Sequence, residues 1–489
     1  MILRATALLL ALVLSPGPAG GQRLPDLGDA SGATLSETQE RTIGNRIMRE
    51  VRVDPAYVND PDVVDYVNSL GSRLLAVADA NSRRELSFFV VQDDAVNAFA
   101  LVGGHIGIHT GLLLLTQNES ELAGVMAHEI AHILQRHQAR TFAGASRAQW
   151  ASLAALALAV LASRGSTSQA GQMTEAAVAT AGALQIQTQL DYTREHEREA
   201  DRVGLTLLER AGYDVRGMAS FFERMLRTNR LNEFKGAPSY LRTHPLTTER
   251  IADIQDRVVS MPGKMVPDTF EYRLARAKLR AAAGSPAQAV AFFRELLADA
   301  TVLRPREDQF GLALALRRAR DFDGAWKALE PLRKGASVHP AFEVLAAELH
   351  ADQGRVEQAL ETYSAGLRSH PRHRGLTYGY LNQLLHAGRA PEVLADLEER
   401  LRGVQDDATL YEIQARAYAA TSQRVAQHRA QAEAYFRRGN LAAAVDQLEI
   451  AVKDRGSDFY QLSSAESRLR ELRALLENER AAEKALKIS

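Results

Sequence analysis

Two long stretches of this chain carry apolar residues at helical spacing, and two short ones carry the strand pattern. The run Leu122 to His137 contains no proline or turn signal and reads as one helix. A second amphipathic run opens at Glu195 and continues through Val203, Leu205, Leu207 and Leu208, predicting another helix. Between them, Trp150 to Ser163 is rich in alanine and leucine but is bounded closely by Arg147 and Arg164. It falls well short of the roughly 20 residues that a bilayer crossing needs. With the small and polar residues of Gln169 to Gln189, this segment reads as a helical hairpin near or over the cleft, serving as a lid or as a dock on a membrane or membrane-bound partner. Leu86 to Gln92 is rich in apolar, β-forming residues, and His105 to His109 alternates with period two, so both read as strands. Gly103 and Gly104 permit a tight turn before the second strand.

Beyond a short helix beginning around Thr247, Ser260 to Pro267 has the prolines and glycine of a linker. The chain then repeats. Gly354, Ala359, Tyr363, Leu367 and Pro371 have the spacing of a tetratricopeptide second helix, a motif whose period is about 34 residues. The same offsets return one period later at Gly388, Val393, Leu397 and Leu401, and one period earlier at Arg320, Ala325 and Leu329. Gly284 with Ala289 and Gly439 with Ala444 keep the same step from turn to helix. The interval from Gly388 to Gly439 is one and a half periods, which predicts an extra helix or a break between Asp407 and Arg438. Stacked pairs of this kind form a concave groove suited to extended segments or partner helices. His339, His350, His370, His373 and His386 are scattered through this part without ligand spacing.

The candidate chemistry lies on the first helix, in His128-Glu129-Ile130-Ala131-His132. Residues four apart on a helix differ by about 40° in azimuth and one turn in height, so both imidazoles reach one point, as metal ligands must. Glu129 lies about 100° round, outside the ligand direction but near enough to act on a water held there. An open catalytic site needs a third protein ligand. Glu197 and Asp201 share the face that Leu205 and Leu208 continue into the core, so the ligand comes from that face. Glu199 lies about 200° from Glu197 and reads, with Glu195 and Arg198, as solvated. His105 and His109 are about 13 Å apart on a strand and read as surface or groove residues, and His137 reads as a cation near the helix C-terminus.

His128 to His132, the later Glu197-Arg198-Glu199-Ala200-Asp201, Asn97-Ala98-Phe99-Ala100, Gly103-Gly104-His105 and Thr243-His244-Pro245-Leu246 together resemble the HtpX and CAAX-prenyl-protease family of zinc peptidases. The likeness is stronger still to its periplasmic branch, in which the peptidase domain precedes tetratricopeptide repeats. The resemblance implies one zinc ion per chain held by His128, His132 and Glu197, with Glu129 as catalytic base and Asp201 as a supporting acid or as the acceptor that orients a ligand imidazole. Proline after His244 favours extended backbone. His244 is expected to project toward the metal, either stabilising the oxyanion or occupying the open fourth position until substrate arrives.

Composition is consistent with this: 489 residues, 46% hydrophobic, 24% charged and a net charge of −1, enough for two or three domains and unlike a nucleic-acid binder. The absence of cysteine excludes thiolate-ligated zinc, a disulfide framework and a lipoprotein anchor. Arg4, the apolar stretch Ala5 to Leu14, and Pro16 to Gly21 read as a secretory signal cleaved after Gly21. The expected organisation is a signal peptide over 1–21, a linker over 22–40, a zincin-like α+β metallopeptidase domain with a small sheet over 41–258, a linker over 259–268, and an α-helical repeat solenoid over 269–489, the whole mainly α. The resemblance implies a periplasmic zinc endopeptidase that degrades misassembled or stalled outer-membrane proteins and assists their assembly, with its groove binding substrate or the barrel-assembly machinery. A non-catalytic repeat adaptor with a structural zinc site and a general periplasmic scavenging protease are the competing readings.

Overall fold

The computed structural model describes residues 36–79, 85–141, 194–231, 240–241, 244–261, 263–298, 305–334, 338–404, 406–454 and 459–488. The expected signal peptide and the expected hairpin over Trp150 to Ser163 and Gln169 to Gln189 lie outside them, as does most of the expected linker over 22–40. No helix among the described residues is long and apolar enough to cross a membrane.

Helices α1 (Glu37–Val51) and α2 (Pro61–Ala76) open the fold, each with a strong start signal. Ser36 and Gln39 form a reciprocal capping box on α1, and Asp60 caps α2 with Pro61 at its first position. A three-stranded sheet follows: β1 (Ser87–Val91), β2 (Ala98–Leu101) and β3 (His105–His109). Its order is β1-β3-β2, with β3 parallel to β1 and antiparallel to β2. Strand β2, whose residues were legible only as a motif, forms an edge beside the central helix. The expected surface or groove position of His105 and His109 is corrected by the structure, since all of β3 is buried. Ile47, Met48 and Val51 of α1 cover one face of the sheet, while α2 and the central helix cover the other. Alternation signals one polar face, but α1 closes over it. His105 instead meets the Ser87 hydroxyl at 2.6 Å, and burial pushes its pKa down to about 4, with Arg52 adding to the shift.

After the short α3 (Thr110–Leu115), helix α4 (Glu119–Leu134) runs through the core, started by Asn118, whose side chain accepts from the Glu121 amide. It ends before the expected His137. Arg136 adopts a left-handed φ of 51°, and a separate α5 (His137–Thr141) begins. Helices α6 (Arg194–Arg210) and α7 (Arg216–Leu231) pack against α4, and α8 (Thr248–Ser260) packs on both α6 and α7.

The remaining helices form pairs: α9 (Phe270–Ala282) with α10 (Pro286–Ala298), α11 (Pro305–Arg318) with α12 (Phe322–Leu329), α13 (Pro340–Asp352) with α14 (Val356–Ser369), α15 (Arg374–His386) with α16 (Ala390–Gly403), α17 (Ala408–Ala420) with α18 (Arg424–Arg437), and α19 (Leu441–Val452) with α20 (Phe459–Ile488). The turns within the second to fifth pairs carry left-handed Arg320, Gly354, Gly388 and Ser422, evenly spaced at the tetratricopeptide period. The extra helix or break expected between Asp407 and Arg438 is instead a regular pair whose turn lacks glycine. The half-repeat step falls at Gly439 (φ 78°), which joins α18 directly to α19.

The repeats touch the N-terminal half at their start, middle and end. Tyr272, Ala275 and Leu279 of α9 belong to the N-terminal core, while its Leu274, Ala277 and Ala281 belong to the first repeat core. Lys278 of α9 pairs with Asp60 (2.7 Å) and Asp62 at the start of α2. His373, which also caps α15, reaches Asp62 at 2.9 Å, and Arg374 reaches Asp65 at 2.6 Å. At the far end Arg49 of α1 pairs with Glu479, and Arg52 donates to the Arg438 carbonyl at 2.7 Å.

Burial alone would raise the Asp62 carboxyl, but Lys278 and His373 hold it well below the usual range. Its stabilising contribution is present above the ordinary carboxylate range and is lost as pH falls below that range. Lys278→Met leaves the Asp62 carboxylate largely buried with only part of its compensation. We expect a loss of about 3 kcal/mol, read as a lower thermal midpoint. Lys278→Met combined with Asp62→Asn should lose less than the sum of the two single changes.

Candidate metal centre

The site forms where α4 crosses α6. A Cβ on Gly204 would stand 3.1 Å from the His128 amide nitrogen, so glycine permits this close approach of two backbones. The crossing sets Glu197 opposite His128 and His132. The loop before α8 brings in His244, whose amide donates to the Tyr240 carbonyl at 2.8 Å and whose ring stacks on Tyr240 at 4.7 Å. All four residues are at most 1% exposed.

Their donor atoms converge. His128 Nε2 lies 3.0 Å from His132 Nε2, 3.4 Å from Glu197 Oε2 and 3.4 Å from His244 Nδ1. Glu197 Oε1 lies 3.3 Å from His132 Nε2 and 3.2 Å from His244 Nδ1. Donors at a tetrahedral zinc ion, about 2.0–2.1 Å from the metal, stand about 3.3 Å from one another. The four side chains therefore fit a small tetrahedral cation. Among the described residues they are the group of His, Cys, Asp and Glu side chains that could hold a metal ion.

Glu129 lies beside this group, fully buried, with His244 Nε2 3.4 Å from its Oε1. Burial raises its carboxyl above the usual range, opposed by His244 and His128. Asp201 faces the other side of His128, with Oδ1 3.0 Å from Nδ1. Burial would lower the His128 pKa, but Asp201 and Glu197 raise it to about 9. The field that favours a proton on this ring favours a cation among the donors. Burial lowers His132 well below its ordinary value, despite Glu197.

Nothing in the sequence pattern announces Arg250. From the first turn of α8 it donates Nε and Nη2 to the two Asp201 oxygens, each at 2.9 Å, and its Nη1 lies 2.8 Å from Glu197 Oε2. It is 2% exposed and is the charge that lets Glu197 and Asp201 be buried together. His137 and Glu199 are corrections. His137 is a fully buried partner of two side chains rather than a cation at the helix C-terminus: its Nδ1 lies 2.9 Å from His132 Nδ1, and its Nε2 lies 3.0 Å from Glu199 Oε2. Glu199 does point away from Glu197, as expected, but its partly exposed carboxylate is held by His137 and Arg140. Helical azimuth placed Glu199 correctly, and only the reversal at Arg136 supplies its partner. Glu195 is exposed, as expected, and so is Arg198.

The model of Peptidase family M48 matches residues 62–258. The chain is 32% identical over 461 residues to the beta-barrel assembly-enhancing protease of Escherichia coli K12, covering 93% of this chain and 92% of that protein. It is 40% identical over 321 residues to a putative beta-barrel assembly-enhancing protease of Vibrio cholerae, covering 64% of this chain and 63% of that one. It is 27% identical over 232 residues to metalloprotease YcaL of Escherichia coli K12, covering 47% of this chain and 83% of that one.

Replacing Arg250 strands two buried carboxylates. Arg250→Ala should cost about 3–5 kcal/mol, seen as a lower urea midpoint. Arg250→Lys should recover less than half of this, because an ammonium cannot bridge both Asp201 oxygens and Glu197 as the guanidinium does.

Proposed function

Because the chain belongs to peptidase family M48 and is similar over nearly its whole length to a beta-barrel assembly-enhancing protease, we propose that this metalloprotease is a zinc endopeptidase of the periplasm. In this reading it cleaves misassembled or stalled outer-membrane proteins and assists their assembly. The observation that carries the chemistry is the convergence of His128, His132, Glu197 and His244 within 4.8 Å, with Glu129 beside them. The proposed division is a signal peptide over 1–21, a linker over 22–40, the peptidase over 41–258, a linker over 259–268 and the repeat domain over 269–489. Exposed strands of a stalled barrel suit capture at a sheet edge and in a repeat groove, which supports this substrate class.

In this reading His128 Nε2, His132 Nε2 and Glu197 would hold the ion, and His244 Nδ1, which lies among the same donors, would give way to substrate. Bound zinc would supply Lewis acidity, polarising the scissile carbonyl and making the attacking water more acidic. Glu129 takes the proton of that water on a carboxylate oxygen and returns it to the leaving amine. Its burial suits both steps, because a raised carboxyl pKa makes it a stronger base and a competent acid. Asp201 Oδ1, 3.0 Å from His128 Nδ1, favours a hydrogen on that nitrogen and so leaves the Nε2 lone pair for the ion. Arg250 holds Asp201 in that orientation. His244 acts as a gate, and its contact with Glu129 lets one displacement free both the fourth position and the base.

Wild type, Glu129→Gln and His244→Ala are compared for bound zinc and for cleavage of an unfolded outer-membrane barrel protein. All three should retain zinc. Glu129→Gln should lose about 10²–10⁴-fold in cleavage rate, the usual contribution of a general base. His244→Ala should cleave faster. Slower cleavage would assign His244 to the oxyanion instead, and unchanged cleavage would remove it from the mechanism. Zinc without cleavage in wild type and His244→Ala alike would return the repeats to an adaptor role.

A further inference from the structure

The two ligand histidines are oriented by different means. His128 Nδ1 meets a carboxylate directly, Asp201 at 3.0 Å. His132 Nδ1 meets the Nδ1 of a second imidazole, His137, at 2.9 Å. Two nitrogens at that distance share one hydrogen, so one donates and the other accepts. The third member of the chain decides which. Glu199 Oε2, 3.0 Å from His137 Nε2, is a carboxylate oxygen and only accepts, so His137 carries its hydrogen on Nε2. A neutral ring has one such hydrogen, which leaves His137 Nδ1 as an acceptor. His132 Nδ1 therefore donates. The Nε2 lone pair of His132 is then left facing His128 Nε2 at 3.0 Å and Glu197 Oε1 at 3.3 Å.

The surroundings fit this directed chain. His137 is fully buried, and its ring stacks on His196 at 4.5 Å and 13°, which fixes its plane. Arg140 Nη1 lies 2.8 Å from Glu199 Oε2 and holds that carboxylate in place. The left-handed Arg136, donating to Glu40 at 2.9 Å, turns the chain so that His137 folds back over the last turn of α4. Helix α6 thus supplies one donor, Glu197, and the carboxylate that terminates each histidine's orienting chain, Asp201 for His128 and Glu199 for His132.

We propose that His137 and Glu199 form a positioning relay that locks His132 in the tautomer with Nδ1 protonated, holding its Nε2 lone pair toward the metal ion. The proposal rests on the zinc reading of the four-donor site. Both relay residues act through the His132 ring. Partners of this kind typically set metal affinity by about 10–100-fold.

The test measures zinc affinity of the full chain by competition with a chelator, for wild type, His137→Phe, His137→Asn and Glu199→Ala. His137→Phe should bind zinc at least about tenfold more weakly. His137→Asn should recover most of the loss, since its side-chain oxygen can accept from His132 Nδ1–H. Glu199, with a side chain 28% exposed, can be truncated with little risk to folding, and Glu199→Ala should fall between these. Ring nitrogen shifts of the zinc-free wild type should show His132 protonated at Nδ1, and Glu199→Ala should show both tautomers. Zinc binding in wild type with unchanged affinity in Glu199→Ala, or His132 protonated at Nε2 in wild type, overturns the relay alone. Absence of zinc binding in wild type overturns the relay together with the zinc reading.

Discussion

Where α4 crosses α6, the missing side chain of Gly204 lets two helix backbones meet at a distance that a methyl group would already crowd. Each further feature of the centre depends on that approach. It brings a carboxylate from one helix to two imidazoles on the other. The apolar stripes on either side, Ala127 and Ile130 on α4 with Leu205 and Leu208 on α6, hold the crossing fixed in a dry core. Buried donors converge here because the core around them does not yield.

Concentrating Glu129, Glu197 and Asp201 in such a core is electrostatically unfavourable, and one cation from a third helix offsets much of that penalty. Arg250 reaches across from α8 to both Asp201 oxygens and to Glu197, so these two buried carboxylates of α6 share one guanidinium. Glu129 is left out of that pairing. The His244 ring, which lies against it, also sits among the donors. Glu129 and the fourth donor are therefore coupled by contact.

The helical repeats are part of the same mechanical unit. Helix α9 gives one face to the N-terminal core and the other to the first repeat, so the two halves share a wall. The Asp62 cluster and the Arg49–Glu479 pair add contacts at the middle and end of the array. The repeats are thus braced against α1, α2 and the core that also packs α4 and α6.

Local sequence pattern was enough for the parts of this protein whose physics is local. The HExxH helix, the second acidic helix, two of three strands and the tetratricopeptide period follow from periodicity, because side-chain spacing fixes which residues share a face. The pairing of His128 with His132, and the acidic face that supplies Glu197, were legible for the same reason. The missed features are those that depend on what folds over what. His105 and His109 are buried because α1 covers a face that alternation marks as polar. His137 became a buried partner of His132 because Arg136 reverses the chain, and no glycine announces that left-handed turn. Ser422 hid a regular repeat in the same way. Arg250 has no motif at all, since its role comes from two carboxylates that only the packing of α6 against α8 brings within its reach. Sequence by itself determined the reactive groups and the helices that present them. Tertiary structure alone decided how their charges are balanced and their hydrogens directed, because both depend on distances between segments that the chain's order does not encode.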